Sequence, residues 1–164
     1  MRAIQMARPE AGAAVLVDDL PDPIPGPGEV LVRVARAAIC GTDRHIFHWD
    51  PSVAPMLQPP VIIGHEFCGF VDSWGPGVNG WASGDFVSAE MHLVCGQCRA
   101  CRAGNSHVCR HTRIAGLHQD GCFAEWVVLP ATNLVRLDPD VVSLDVGSFL
   151  DALGNAVHTV QSAN

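Results

Sequence analysis

Apolar and polar positions alternate in short runs over most of the chain. Glu29-Val30-Leu31-Val32-Arg33-Val34 alternates as a half-buried strand does, and this predicts a strand there. Arg2–Met6 and Gly12–Asp18 predict a short hairpin or meander, and Pro21–Gly28 a Pro/Gly turn region ahead of the Glu29 strand. Further strands are predicted at Glu66–Asp72, Asp85–Ala89 and Phe123–Leu129, separated by Gly-rich turns, with a tight turn at Gly84-Asp85. From Ser143 the period changes. Leu150, Leu153, Val157 and Val160 recur at three- and four-residue steps, which predicts an amphipathic helix running to Asn164. With no internal repeat and no linker, the pattern describes a mainly β domain with short helices, a Cys-rich insertion and a terminal helix.

Composition narrows the partners. The 164 residues suffice for one domain with its own core. The net charge is −7 and all ten basic residues are arginine, so no basic stripe offers itself to nucleic acid. Met1-Arg2-Ala3-Ile4-Gln5 contains no apolar signal region, and no run approaches the roughly 18 apolar residues of a membrane span. A soluble, cytoplasmic chain without membrane partners is therefore expected. In a reducing compartment, its seven cysteines are expected as metal ligands rather than disulfides.

Four of those cysteines form C-x2-C-x2-C-x7-C: Cys95, Cys98, Cys101 and Cys109. Thiolates at that spacing can close a tetrahedral shell around Zn²⁺, with Gly96 and Gly104 giving the backbone freedom of a tight knuckle. An all-cysteine shell leaves no open position, so the expected role is structural. An iron–sulfur cluster is the competing reading. Its usual run continues x3-C-P, whereas here the fourth cysteine follows after seven residues and precedes Arg110.

A second constellation lies outside that lobe, in Cys40-Gly41-Thr42-Asp43-Arg44-His45 and Gly64-His65-Glu66. A thiolate, an imidazole and a carboxylate make a ligand set suited to a catalytic zinc with an open position. Such a site lowers the pKa of a bound alcohol, and Thr42 followed by His45 offers its proton a way out. Each residue also has a plainer reading: Cys40 as a small core residue, His65 in a turn, Glu66 on a solvated face. Cys68 and Cys122 lack companions at ligand spacing and are read as core. The chain is read as lacking a G-x-G-x-x-G fingerprint after a strand, and Gly26-Pro27-Gly28 sits in a Pro-rich turn ahead of one. The chain alone is accordingly not expected to hold NAD.

Taken in order, Cys40-Gly41-Thr42-Asp43, Gly64-His65-Glu66-x2-Gly69, Gly84-Asp85-x-Val87 and the four-cysteine lobe resemble the zinc-containing medium-chain alcohol dehydrogenases over essentially the whole chain. The resemblance implies a GroES-like β-barrel catalytic domain over 1–164. Residues 92–113 would form the structural zinc lobe, and 143–164 the helical start of a connection to a Rossmann cofactor domain that these residues lack. It implies Cys40, His65 and Glu66 as catalytic zinc ligands, with Asp151 at an acidic position that binds the metal directly or through water. Thr42 and His45 match a proton relay, and His92 a substrate-pocket histidine.

The implied activity is oxidation of a secondary alcohol with hydride transfer to NAD, using two zinc ions per chain, one catalytic and one structural. His45–Asp50, Gly121–Glu125 and Gly154–Thr159 are similar to a branch acting on the 3-hydroxyl of a hydroxy amino acid. Polyols, simple alcohols and sugars are the alternative substrates. The complete enzyme is expected to be a homo-oligomer and the fragment alone inactive. A zinc-binding module without turnover is the alternative of a different class.

Overall fold

In the computed structural model, which describes residues 1–163, the first alternating runs close into an antiparallel pair. β1 (Ala3–Met6) lies against β2 (Ala14–Val17), with Ala3 opposite Val17 and Met6 opposite Ala14. β3 (Glu29–Ala38) follows the Pro/Gly turn and runs four residues beyond the predicted strand. Helix α1 (Gly41–Phe47) comes next, where no helix was expected. β4 (Val61–Ile62) joins β1 and completes a three-stranded sheet in the order β2-β1-β4.

The predicted strands at Glu66, Asp85 and Phe123 are present with shifted ends, as β5 (Glu66–Trp74), β6 (Phe86–Ala89) and β9 (Trp126–Pro130). Between β6 and β9 the Cys-rich insertion holds β7 (His92–Leu93), the single turn α2 (Arg99–Arg102) and β8 (Arg113–Ile114), with β7 and β8 paired. β10 (Leu134–Arg136) closes a five-stranded sheet in the order β10-β6-β5-β3-β9. Ile4 N donates to Phe123 O and Ile63 N to Ile4 O, which ties β1 to the segment before β9 and joins the two sheets into the GroES-like barrel.

β3 departs from simple alternation. Val30, Leu31 and Val32 are all buried, because the strand is paired on both edges and a register shift falls between Leu31 and Val32. Val30 and Val32 enter a core with Phe67, Val71, Val87, Val127 and Leu129. A second core gathers Met6, Ile46, Val53, Leu57, Val61, Ile63 and Leu117. Phe123 packs against both. Gly64 lies at that seam with φ +90°, and a Cβ there would run into the Phe123 ring. Only glycine meets both demands, and His65 and Glu66 emerge directly from it.

Two sequence readings need correction. The spacing G-x-G-x-x-G does follow a strand, as Gly75-Pro76-Gly77-Val78-Asn79-Gly80 directly after β5. It leads into antiparallel β6 rather than a helix, so no helix N-terminus faces a pyrophosphate. Its first glycine serves packing, since Gly75 N donates to Glu29 O and a Cβ on Gly75 would collide with Gly26 O, while Gly77 and Gly80 turn the chain at φ +84° and +82°. The terminal helix is also not continuous. Ser143 caps α3 (Leu144–Gly147), its Oγ accepting from Val146 N at 3.3 Å, and α4 (Leu150–Ser162) begins after Ser148-Phe149. The expected end at Asn164 lies outside the described residues. The apolar row of α4 is present but unburied, with Leu153, Val157 and Val160 at 43%, 47% and 65% exposure.

Candidate metal centres

The four lobe cysteines converge. Cys98 Sγ lies 3.5 Å from Cys101 Sγ and 3.9 Å from Cys109 Sγ, and Cys109 Sγ lies 3.6 Å from Cys95 Sγ. Sulfurs sharing one zinc at about 2.3 Å stand about 3.8 Å apart, so these spacings are those of a tetrahedral shell and far too long for disulfides. Backbone amides face the cluster: Cys98 N donates to Cys95 Sγ and His111 N to Cys109 Sγ, both at 3.4 Å. Backbone hydrogen bonding at Cys95, then at His111, brings the Cys109 thiol down to about 6 against the effect of burial. Burial and the neighbouring sulfurs push Cys101 up to about 12. Four crowded sulfurs cannot all ionise without a cation among them, and Zn²⁺ fits this donor set.

The second constellation also assembles. Cys40 at the start of α1, His65 after Gly64 and Glu66 opening β5 bring one ligand atom each to within 4.8 Å of the others. His65 and Glu66 are buried, at 8% and 6% exposure, which rules out the solvated-face reading of Glu66. Asp43, within α1, accepts from Cys40 N through Oδ2 at 2.8 Å. Its Oδ1 stands 3.6 Å from His65 Nδ1, and neither atom has a hydrogen-bond partner. Burial raises the Asp43 pKa, while the Cys40 amide and His65 oppose it. A buried carboxylate set against the imidazole of a three-ligand group is what a cation on that group would stabilise, so the residues fit a metal.

The remaining predicted residues surround this set. Cys40 Sγ lies 3.7 Å from Thr42 Oγ1. His45 is more than half exposed and its Nδ1 is 3.3 Å from Asp50 Oδ2. Asp50 Oδ1 in turn accepts from Ser52 N at 2.8 Å and Ser52 Oγ at 2.7 Å. His92 and Asp151 come together with Glu90, with ligand atoms within 4.8 Å of one another, and His65 and Glu66 of the Cys40 set also act on the Asp151 carboxyl. Its pKa is raised foremost by burial and then by Glu90, with His92 and His65 opposing. Glu90 was missed in the sequence; its only signal there was a position two residues before His92. Cys68 and Cys122 are fully buried core residues, as expected.

The alcohol dehydrogenase GroES-like domain family matches residues 26–139, and the chain belongs to it. Over 160 residues it is 46% identical to the L-threonine 3-dehydrogenase of Pyrococcus furiosus, a match covering 98% of this chain and 45% of that protein. The L-threonine 3-dehydrogenase of Francisella philomiragia is also 46% identical, over 100% of this chain and 46% of the relative. The chain thus spans somewhat under half the length of these curated relatives. Among solved structures, a thermostable alcohol dehydrogenase from Pyrobaculum aerophilum superposes with a TM-score of 0.80 at 36% identity, over 92% of this chain and 44% of that one. An NAD-dependent alcohol dehydrogenase gives 0.79 at 39% identity, over 88% and 41%. No helix among the described residues is long and apolar enough to cross a membrane.

Proposed function

We propose that these residues are the zinc-bearing catalytic domain of an NAD-dependent dehydrogenase that oxidises L-threonine at its 3-hydroxyl. The observation that carries the reading is the convergence of Cys40, His65 and Glu66, backed by buried Asp43, in a chain close to half the length of threonine dehydrogenases. With His65 Nδ1 turned to Asp43, Nε2 is the nitrogen left to bind the metal. Zinc held there supplies the Lewis acidity that lowers the pKa of an alcohol. Thr42, beside Cys40, takes up the hydroxyl proton, and His45, exposed and held by Asp50, delivers it to water. NAD⁺ bound beside the site would accept the carbinol hydrogen as hydride, two electrons with one proton, while the hydroxyl proton leaves through Thr42 and His45. The lobe at 92–113 holds the second zinc and serves stability, and 143–164 leads toward a nucleotide-binding domain.

The test is a chimera in which this chain replaces the matching segment of the Pyrococcus furiosus relative. Zinc-loaded chimera should reduce NAD⁺ with L-threonine, faster than with polyols, sugars or simple alcohols, and Cys40→Ser should abolish this. The chain by itself should turn over none of them. A folded, zinc-loaded chimera inert toward all these alcohols would leave a metal-binding module instead.

A further inference from the structure

We infer that Asn79 is a site of spontaneous deamidation in the folded chain, and that its isoaspartyl product releases the loop before β6 from β10. Asn79-Gly80 lies in the turn that follows β5 and is the only Asn-Gly pair in the sequence. The reaction needs a backbone nitrogen able to reach the preceding side-chain amide carbon. Gly80 N attacks Asn79 Cγ, the N–Cγ bond forms, the Cγ–Nδ2 bond breaks, and ammonia leaves with the proton of the attacking nitrogen. The succinimide then takes up one water and opens to aspartate or, through its other carbonyl, to isoaspartate. Water is the only co-reactant and nothing is oxidised or reduced.

The fold leaves this pair free to react. Both residues are exposed, and among the described residues Gly80 N donates no hydrogen bond. Asn79 Nδ2 reaches Gly77 O only at 3.5 Å, beyond the usual hydrogen-bond range. Gly80 stands at φ +82° with nothing within 4 Å of where a Cβ would lie, so neither a side chain of its own nor a packed neighbour stiffens the backbone there. The other described asparagines are less disposed to react. Asn133 Nδ2 donates to Glu90 O at 2.6 Å and to His92 O at 3.1 Å, and Asn155 Nδ2, on α4, donates to Asp151 O at 3.1 Å. Leu134, Ala156 and, after Asn105, Ser106 each place a Cβ beside the nitrogen that would attack. The product matters because Gly80 O is tied to β10. Arg136 Nη2 donates to it at 2.7 Å and to Asp85 Oδ2 at 2.6 Å, and the guanidinium carbon lies 4.7 Å from the centre of the Trp81 ring. Isoaspartate lengthens the backbone by one methylene just ahead of Gly80 and adds a carboxylate, so Gly80 O loses its place in this set.

The inference is independent of the hydride-transfer reading and is tested without turnover. The zinc-loaded 164-residue chain is incubated at mildly alkaline pH beside a portion kept unfolded in guanidinium chloride, and both are peptide-mapped by mass spectrometry over time. In the native chain Asn79 should convert first, within a few-fold of its rate in the unfolded chain, with isoaspartate exceeding aspartate. An isoaspartyl-specific carboxyl methyltransferase should then label the peptide carrying residue 79, and Asn79→Gln should remove that label. Hydrogen exchange of residues 80–85 and of β10 should quicken in the converted chain, and Arg136→Gln should reproduce the change without conversion. The inference is overturned if native Asn79 stays intact while the unfolded chain converts, if Asn105, Asn133 or Asn155 converts ahead of it, or if exchange is unchanged once Asn79 has converted.

Discussion

Asp43 Oδ1 faces His65 Nδ1 at 3.6 Å, and both atoms are buried without any hydrogen-bond partner. The pair joins two segments far apart in sequence: Asp43 anchors the start of α1 through Cys40 N, and His65 leaves the glycine seam between the two cores. A cation on His65 would draw Nδ1–H toward the carboxylate and satisfy both atoms. Asp43→Asn keeps the shape and removes the charge. It should weaken metal binding at Cys40/His65/Glu66 by roughly 10–100-fold, read by chelator competition, while the lobe keeps its zinc. Unchanged affinity would remove Asp43 from the metal site.

The two cysteine sites should fail differently. Cys98→Ser opens the four-sulfur shell and should lower Tm by several degrees with loss of one zinc, because a structural zinc contributes directly to folding free energy. Cys40→Ser should lose the other zinc with little change in Tm. Calorimetry paired with metal analysis of both variants checks the division, and the reverse pattern would exchange the roles.

The cysteine lobe was legible because its four ligands lie within fifteen consecutive positions, so spacing alone reports the geometry. The Cys40 set was not, since 25 positions separate Cys40 from His65 and only the fold brings them together; the family resemblance supplied that link. Helix α1 escaped because its only buried apolar residue is Ile46, which leaves no 3.6-residue row to read. Conversely, Leu153, Val157 and Val160 make a clear helical row whose face the described residues leave uncovered. Gly75–Gly80 shows the limit of a motif read as letters: the helix that gives such a turn its meaning is a strand here.

Gly64 is the backbone position on which the site turns. Gly64→Ala must adopt φ +90° and displace the Phe123 ring, a strain of about 1–3 kcal/mol. At roughly 2–4 °C per kcal/mol for a chain of this size, Tm should fall by several degrees. Zinc affinity at His65/Glu66 should fall with it, and the lobe should be spared. Thermal melts with site-resolved metal titration measure both effects.

The carboxyl of Asp50 is lowered to about 2, first by the hydroxyl of Ser52, then by its amide, and less by His45. A depressed carboxyl contributes order that is complete above its unfolded value of 3.8 and is lost as pH falls through about 2. The His45–Asp50–Ser52 turn should therefore hold at neutral pH and loosen between those values. A carboxyl carbon NMR titration of Asp50 that returned the unperturbed value would show the turn is not formed in solution.

The central claim is that this chain carries one closed and one open zinc site, and metal analysis of the reduced, desalted protein tests it most directly. Wild type should hold two zinc ions per chain, Cys40→Ser one and Cys98→Ser one, with no iron in any of them. Iron in the lobe, or a wild-type chain holding a single zinc that Cys40→Ser leaves in place, would contradict it.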